Sequence, residues 1–436
     1  MSDSSTGSKP TIDPASLDPQ TIDALSEVAP VTAAVVAERA PLTVISSRTD
    51  YLEAVESLAR GHGPLAVDAE RASGFRYSQR AYLIQVFRRG AGIFLFDPPA
   101  IGRFDELNEA IRHEEWVLHA ASQDLACLRE VGLDPTKIFD TELGARLASL
   151  PRVGLGTVVE ELLGVHLAKE HSAADWSTRP LPQSWLVYAA LDVELLVDLR
   201  DAMAALLASQ RKSGIAEQEF QAVLDREAKP AKTDAWRRMS GLSVIRSPRN
   251  LAVARELWTA RDEYAREIDS APGRLIPDSS LVAAARILPS SKRELASIRE
   301  FSGRASRSEI QRWWDAIERG TQTDDLPAQR GPVESVPPAR VWADRNPPAD
   351  RRLKLAKAAI AAVSELLSIP LENLLMPETL RRLAWSPPES LTLDAIRSAL
   401  EDLDARPWQI DATAQVILDA FVDLDQTPVE ADGGAS

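Results

Sequence analysis

Acidic residues at three separate places in the chain have the types and spacing needed to bind divalent cations. Asp68 and Glu70 follow the apolar run 65–67, and residues i and i+2 of a strand face the same side. Taken alone, this pair is more typical of a solvated strand edge or a turn. The chemistry that it offers is oxygen ligation of a hard cation such as Mg²⁺ or Mn²⁺.

Two further acidic positions extend this pattern. Asp124 stands in the first turn of a predicted helix, where capping of the helix is the simpler interpretation. Tyr188 and Asp192 are four residues apart in an otherwise apolar helix, so they project from one face, and a carboxylate there requires a cation or a hydrogen-bond partner. Four carboxylates without His or Cys ligands favour two Mg²⁺ or Mn²⁺ ions, which can bind the attacking and leaving oxygens of a phosphodiester.

Alternating strands and helices are predicted to position these residues. The strands are expected at 42–45, 65–68, 81–89, 92–97 and 116–120, and the first helices at 48–60, 104–112 and 123–131. Gly90-Ala91-Gly92 is a plausible hairpin turn between two of the strands. This order predicts one mixed α/β sheet with covering helices, and the chain after about residue 210 is predicted to be helical.

Changes in composition divide the chain into three predicted domains. The predicted segments are a disordered tail at 1–40, an α/β domain at 41–211, a connecting helix and linker at 212–235, a helical domain at 236–320, a second linker at 321–346, a C-terminal helical domain at 347–425 and a mobile tail at 426–436. The fold class is therefore predicted to be α/β with a mixed sheet, followed by two small all-α domains.

Composition and charge restrict the classes of protein that the chain can be. The single Cys127 excludes an internal disulfide and a Cys-rich metal site, so a cytoplasmic location is expected. No stretch approaches the about 18 apolar residues of a membrane span, and we expect neither secretion nor membrane insertion. The net charge is −15, yet residues 236–320 carry 16 Arg and Lys against 11 Asp and Glu, which indicates a basic module in an acidic protein.

Six motifs in a fixed order resemble the ribonuclease D family, the tyrosine branch of the DEDD exonuclease superfamily. They are Asp68-x-Glu70, Tyr82-Leu83-Ile84-Gln85, His119-Ala120 with Asp124-Leu125, Phe139-Asp140-Thr141, Asp175-Trp176-x-x-Arg179-Pro180-Leu181 and Tyr188-x-x-x-Asp192. The resemblance covers residues 42–210. Residues 236–320 resemble the helicase and RNase D C-terminal module, and residues 347–425 resemble, more loosely, the second C-terminal domain of some members.

The resemblance implies a ribonuclease H-like domain that hydrolyses RNA from its 3′ end with two divalent ions. It assigns the metal ligands to Asp68, Glu70, Asp124 and Asp192, and the orientation of the attacking water to Tyr188. The residues expected to contact nucleic acid are Gln85, His119, Trp176, Arg179, Arg237 and Arg238. Packing against its own domain explains Trp176 equally well. The expected partner is RNA with a single-stranded 3′ end, such as a tRNA precursor, and a monomer is favoured.

Two alternative functions remain open from the sequence. The same carboxylates can cut DNA, so a repair or proofreading exonuclease is the first alternative. The second is an RNA-binding scaffold with an inactive catalytic fold, against which the presence of all four carboxylates and Tyr188 argues. The chain has no G-x-x-x-x-G-K-[ST] motif, no H-E-x-x-H motif and no complete dinucleotide-binding glycine pattern, which excludes a helicase motor, a zinc protease of that type and a Rossmann enzyme.

Overall fold

The computed structural model describes residues 42–167, 173–226, 234–329 and 336–426, with side chains described up to residue 422. The tail predicted at 1–40 and nearly all of the tail predicted at 426–436 lie outside these residues. Within them, an α/β unit is followed by two helical units, as the sequence predicted.

The α/β unit is built on a mixed sheet of six strands. They are β1 (Val44–Ile45), β2 (His62–Arg71), β3 (Ala81–Arg89), β4 (Gly92–Phe96), β5 (Glu115–Leu118) and β6 (Lys137–Asp140). The spatial order is β1-β4-β3-β2-β5-β6, with β2, β3 and β4 antiparallel and the other neighbours parallel. The Gly90–Gly92 turn joins β3 to the antiparallel β4, and Arg88 pairs with Gly92 across it. The hairpin prediction is confirmed.

The five predicted strand positions are correct, although their ends differ for local reasons, whereas β6 lies where only helices were predicted. β2 extends well beyond the predicted 65–68, because its whole length pairs with β3. β5 ends at Leu118, two residues before the predicted end, because Ala120 adopts a left-handed conformation with φ of 65° that a strand cannot contain. The chain therefore turns sharply between β5 and the segment that carries Asp124.

Helices cover the sheet and supply much of its apolar core. They are α1 (Arg48–Arg60), α2 (Pro98–Ile101), α3 (Asp105–Ile111), α4 (Leu125–Glu130), α5 (Thr141–Leu147), α6 (Leu155–Leu163), α7 (Gln183–Glu194), α8 (Leu196–Ser209) and α9 (Ser213–Leu224). α9, predicted as a connecting helix, packs against β6 through Phe220, whose ring centroid lies 4.8 Å from that of Phe139. Cys127 is buried in α4, where a free cysteine packs as a small apolar residue.

The second unit is wholly helical. Its helices are α10 (Pro248–Glu267), α11 (Pro272–Leu275), α12 (Asp278–Ile287), α13 (Lys292–Ser297), α14 (Arg304–Ser308) and α15 (Ile310–Gln322). α10 and α15 cross closely at Gly320, where a Cβ atom would lie 2.5 Å from the Cα of Val253, so only glycine permits this approach. Trp313 is fully buried beside them and belongs to the core of this unit.

The third unit consists of α16 (Trp342–Arg345), α17 (Pro347–Leu367), α18 (Leu371–Leu374), α19 (Pro377–Trp385), α20 (Leu393–Glu401) and α21 (Pro407–Gln426). Residues 336–346, predicted as part of a linker, pack onto it instead: Trp342 is fully buried, and Arg381 donates to the carbonyl of Val336. The unit is joined to α9 by an ion pair, in which Nε and Nη2 of Arg406 each donate to one carboxylate oxygen of Glu219 at 2.6 Å. No helix among the described residues is long and apolar enough to cross a membrane.

Candidate active site

Three carboxylates meet at the carboxyl end of β2. Asp68 and Glu70 leave this strand on the same side, because side chains alternate along a strand. Asp192 reaches them from α7, and one oxygen from each of the three residues lies within 4.8 Å of the others. This arrangement could hold a metal ion, and it brings together residues that are more than 120 positions apart in the sequence.

Helix α7 presents Tyr188 and Asp192 to the same place. The helix begins after Pro182 and buries apolar residues, among them Leu186 and Ala189, while Tyr188 and Asp192 line the cleft. The hydroxyl of Tyr188 and the carboxylate of Asp192 are hydrogen-bonded, as their spacing of four residues permits. Burial, followed by the charges of Asp192 and Glu70, raises the pKa of Tyr188, so this side chain is a neutral phenol.

Asp124 faces the same cleft but is not one of the three closest carboxylates. It follows a short 3₁₀ turn at Ala121–Gln123, begins α4 and is 6% exposed. The guanidinium of Arg71 lies 3.9 Å from its carboxylate. The predicted set of four carboxylates is thus assembled around one cleft, with Arg71 as the cationic neighbour of the fourth.

Burial and mutual repulsion raise the pKa values of the four carboxylates, and Arg71 offsets only part of this effect. Burial raises the pKa of Asp68 to about 6. Burial and then the charges of Asp68, Asp192 and Asp124 raise the pKa of Glu70 to about 10. The pKa values of Asp124 and Asp192 are raised well above the ordinary range by burial and then by Asp68. Buried carboxylates that repel each other favour either protons or a multivalent cation.

The chemistry of this donor set fits divalent ions. All of the donors are carboxylate oxygens, which suits Mg²⁺ and Mn²⁺, and neither Cys nor His stands among the three closest ligands. Within the described residues, Arg71 supplies the cationic contribution that lowers the pKa of Asp68, Glu70 and Asp124. One guanidinium does not balance four carboxylates, so the site has room for further positive charge.

Asp140 is a positioning residue whose role the sequence did not reveal. Its Oδ1 accepts the backbone N–H groups of Ala120, Glu142 and Leu143 at 3.0–3.1 Å, and its Oδ2 accepts that of Ala121 at 2.9 Å. This carboxylate caps α5 and also holds the left-handed turn that leads to Asp124. The Phe139-Asp140-Thr141 motif was the available signal, but only the fold shows what the side chain binds.

His119 lines the cleft next to this turn. Its Nδ1 lies 2.9 Å from the hydroxyl of Thr141, and burial lowers the pKa of the imidazole to about 4. The ring is therefore neutral at physiological pH. Its contact with nucleic acid, predicted from the sequence, stays a prediction.

Two of the predicted contacts with nucleic acid, Gln85 and Trp176, are buried in the structure, and a third, Arg179, is paired with a carboxylate and stays a prediction. Gln85 is 0% exposed, pairs with Asp68 across the sheet, and has no hydrogen-bond partner for its amide among the described residues. Trp176 is also 0% exposed and packs edge-on against Trp185, with ring centroids 5.3 Å apart. Arg179 binds both oxygens of Asp97 at 2.8 and 2.9 Å, so its charge is neutralised within the protein. Gln85 and Trp176 cannot touch a nucleotide without leaving the core, and Arg179 holds the loop before α7.

The two predicted contacts of the second unit differ from each other. Arg237 forms an ion pair with Asp234, with Nε 3.1 Å from a carboxylate oxygen. Its guanidinium lies 4.4 Å from the ring centroid of Trp236, and its side chain is largely buried. Arg238, next to it, is exposed. Only Arg238 is available to an incoming phosphate without a rearrangement, and both assignments stay predictions.

The carboxylates and Tyr188 line a cleft of about 600 Å³. Its walls come from the end of β2, from the turn around Ala120, from the start of α6 at 154–156, and from Ala173 and Ala174 before α7. Ser73, Gln123 and Glu142 complete the polar lining and were not among the predicted site residues. A cavity of this size accommodates one or two nucleotides beside the carboxylates.

Family models place this fold and cleft in a class of nucleases. The model described as 3'-5' exonuclease matches residues 43–208, the HRDC domain model matches residues 250–317, and the model described as 3' to 5' exonuclease C-terminal domain matches residues 335–421. The protein is a 3′→5′ exonuclease with a mixed α/β catalytic domain and two helical domains.

Curated relatives identify the family more narrowly. The chain is 34% identical over 252 residues to ribonuclease D of Pseudomonas paraeruginosa, an alignment that covers 56% of this chain and 66% of the relative. It is 30% identical over 337 residues to ribonuclease D of Escherichia coli, covering 74% of this chain and 85% of the relative. The chain belongs to the ribonuclease D family.

Solved structures show the same architecture along most of the chain. A protein from Bifidobacterium adolescentis is similar with a TM-score of 0.80 and 38% identity, over 88% of this chain and 98% of that one. Escherichia coli RNase D, described as an exoribonuclease involved in structured RNA processing, is similar with a TM-score of 0.64 and 26% identity, over 87% of this chain and 98% of that one.

Proposed function

We propose that this protein hydrolyses RNA from its 3′ end with two bound Mg²⁺ or Mn²⁺ ions and releases nucleoside 5′-monophosphates. The observation that carries the proposal is the meeting of Asp68, Glu70 and Asp192 within 4.8 Å, in one cleft with Tyr188 and Asp124. Such a set serves no evident structural purpose, because it places four mutually repelling carboxylates in a buried position.

Each residue of the set has a proposed role. Asp68, Glu70, Asp124 and Asp192 would hold the ions, with Asp68 placed centrally because its charge acts on each of the other three. Bound divalent ions supply Lewis-acid stabilisation of the charge on the attacking and leaving oxygens. The neutral hydroxyl of Tyr188, anchored by Asp192, would orient the attacking water in line with the scissile bond.

The physiological substrate is proposed to be the 3′ end of a structured RNA, with tRNA precursors as the first candidates. The family membership and the basic helical module at 236–320 support RNA. The single-stranded 3′ end would enter the cleft while helical domains contact the folded body of the RNA. Action in the cytoplasm and as a monomer belongs to the same proposal.

The test is the degradation of matched RNA and DNA oligonucleotides labelled at their 5′ ends. Mg²⁺, Mn²⁺ or EDTA would be added to wild type and to Asp68→Ala and Asp192→Ala, with Asp134→Ala as a control that removes an exposed carboxylate elsewhere in the domain. We expect stepwise shortening of RNA from its 3′ end, release of 5′-monophosphates, and loss of both with EDTA or in the two site variants.

The alternatives predict different results in the same assay. Equal degradation of DNA would favour a repair exonuclease, and tight RNA binding without degradation would favour an inactive scaffold. Internal cleavage, or activity that survives Asp68→Ala, would refute the proposed site. The RNA substrate itself can be identified by sequencing transcript 3′ ends in cells depleted of the protein.

A further inference from the structure

The HRDC domain is docked on the loop that directly follows the Asp68–Glu70 strand. This loop, residues 72–80, joins β2 to β3 and will be called the β2–β3 loop. It is contacted by the end of α10 and by the turn that leads into α11, with side chains and backbone both involved. The contact lies close to the chemistry, because Arg71 precedes the loop and Ser73 lines the cleft.

Asp269 provides the central contact of this docking. Its Oδ1 accepts the backbone N–H of Ser78 at 2.9 Å, and its Oδ2 accepts the hydroxyl of Tyr82 at 3.2 Å. Arg80 lies 3.8 Å from the same carboxylate. Asp269 adopts a left-handed conformation with φ of 46°, which Asp and Asn tolerate better than most residues. The residue is therefore held in a conformation that directs both of its oxygens at the other domain.

Three more contacts fix the rest of the loop. Arg274 donates from Nε to the carbonyl of Gly74 at 2.8 Å, and its guanidinium stacks 3.8 Å over the ring of Phe75. The hydroxyl of Tyr77 lies 3.0 Å from an oxygen of Asp262. Hydrogen bonds to charged groups are stronger than those between neutral groups, so several together can hold a segment without regular structure.

The β2–β3 loop in turn holds a wall of the cleft. Arg76 donates from Nε to the hydroxyl of Ser177 at 2.8 Å, and that hydroxyl lies 2.5 Å from Asp175. The segment that contains Asp175 and Ser177 continues from Ala173 and Ala174, which line the cleft, and runs into α7. A chain of polar contacts thus connects the HRDC domain to the segment that leads into the helix carrying Tyr188.

We propose that Asp269 and Arg274 are positioning residues for hydrolysis, so that the HRDC domain sets the geometry of the cleft in addition to any contact with RNA. By fixing the β2–β3 loop, they keep the segment before α7 in place. This inference rests on the proposed function. A shift of about 1 Å in groups that align a reaction can cost up to about 100-fold in rate, so a contact outside the cleft can control turnover.

The test uses a substrate too short to bridge the two domains. A diribonucleotide and a 20-nucleotide RNA would be hydrolysed in Mg²⁺ by wild type, Asp269→Ala, Asp269→Asn, Arg274→Ala and Tyr77→Phe. Glu267→Gln and Arg319→Ala are matched controls, because Glu267 pairs with Arg312 and Arg319 pairs with Glu256, both inside the HRDC domain. Thermal unfolding of each variant sets an assay temperature at which all are folded.

We expect Asp269→Ala and Arg274→Ala to lower kcat on both substrates about tenfold, with KM for the diribonucleotide changed less than twofold. Asp269→Asn retains an oxygen for the N–H of Ser78 and tolerates the left-handed backbone, so it should restore most of the rate. The controls should resemble wild type. If Asp269→Ala does not fold, Arg274→Ala and Tyr77→Phe provide the same comparison with smaller changes.

A tethering role alone would give the opposite pattern. In that case the variants would raise KM for the 20-nucleotide RNA and leave hydrolysis of the diribonucleotide unchanged, which would overturn the inference. An unchanged kcat on both substrates would overturn it as well. An inactive wild-type protein would instead contradict the proposed function, so the two failures are distinguishable.

Discussion

The guanidinium of Arg71 lies 3.9 Å from the carboxylate of Asp124, at the edge of the group formed by Asp68, Glu70 and Asp192. Arg71 therefore provides part of the positive charge that divalent ions would otherwise supply. The same residue is joined through the chain to Glu70 on one side and to the β2–β3 loop on the other, so its position is fixed by the strand.

Arg71→Ala is predicted to tighten the binding of Mn²⁺. At an effective dielectric constant of about 20, two unit charges about 4 Å apart interact by about 4 kcal/mol. Removing only about 1.4 kcal/mol of repulsion between the guanidinium and the bound Mn²⁺ would raise the affinity tenfold. Calorimetric titration of the metal-free protein with Mn²⁺ measures this, and Arg60→Ala, which removes an exposed Arg on α1, is the control. Equal or weaker Mn²⁺ binding in Arg71→Ala would contradict the assigned electrostatic role.

The stability of the metal-free protein is predicted to fall as pH rises through the raised pKa values of the site. The pKa of Asp68 is about 6 and that of Glu70 about 10, whereas both carboxylates titrate near 4 when unfolded. Between these values the folded state binds more protons than the unfolded state, so the free energy of unfolding decreases with pH. Divalent ions bind the deprotonated carboxylates, so they should stabilise the protein more at high pH.

The measurement is the shift of Tm between EDTA and excess Mn²⁺ at pH 5 and pH 8. At 100 times the Kd, binding adds about 2.7 kcal/mol, which corresponds to a shift of several degrees. Asp68→Asn should abolish this shift at pH 8 and raise the Tm in EDTA above that of wild type, because one buried charge is removed. A Mn²⁺ shift that is larger at pH 5 than at pH 8 would be inconsistent with this electrostatic account.

The acidic residues that share the cleft could be located from the sequence, because their signals are local or ordered along the chain, and their roles stay predictions. Asp68 and Glu70 follow from the two-residue period of a strand, and Tyr188 and Asp192 follow from the four-residue spacing of a helix. That these residues meet in one cleft could be expected only from the resemblance of the chain to the ribonuclease D family, since no local rule connects β2 to α7.

Burial and contacts between domains could not be predicted from local patterns. A Trp in a loop such as Trp176 has the same local sequence whether it stacks on a base or packs in the core. Arg179 was expected to contact nucleic acid, and no local pattern reveals that its ion-pair partner is Asp97, 82 residues away. The contact of Asp269 with Ser78 joins residues 191 positions apart, and no sequence period encodes it.

Asp140→Asn is predicted to reduce both stability and activity, although the side chain does not contact the proposed metal ligands. An amide keeps one acceptor oxygen where the carboxylate serves four backbone N–H groups, so at least one buried donor loses its partner. The expected cost is about 2–3 kcal/mol of unfolding free energy, measured by urea titration. Activity should fall as well, because the turn at Ala120 that leads to Asp124 is released.

The control for this change is Asp134→Asn, an exposed carboxylate of the same domain that pairs with Arg129 at 2.8 Å. Exposed ion pairs contribute about 0–1 kcal/mol, so this variant should resemble wild type in both assays. An Asp140→Asn protein that unfolds at the wild-type urea concentration would show that the four hydrogen bonds are not needed to hold the turn.

Tyr188→Phe is predicted to remove most of the turnover while leaving the fold and ion binding intact. The ring keeps its packing on α7, and the lost hydroxyl is hydrogen-bonded to Asp192, which retains its place beside Asp68 and Glu70. If the hydroxyl orients the attacking water, kcat should fall about 100-fold or more, with KM for RNA changed little.

Tyr51→Phe is the matched control, because the hydroxyl of Tyr51 accepts the backbone N–H of Leu107 at 3.1 Å within the same domain and does not line the cleft. That control should lose stability but keep kcat, measured at a temperature where both variants are folded. A Tyr188→Phe enzyme with wild-type turnover would show that the water is oriented by the carboxylates and their ions alone.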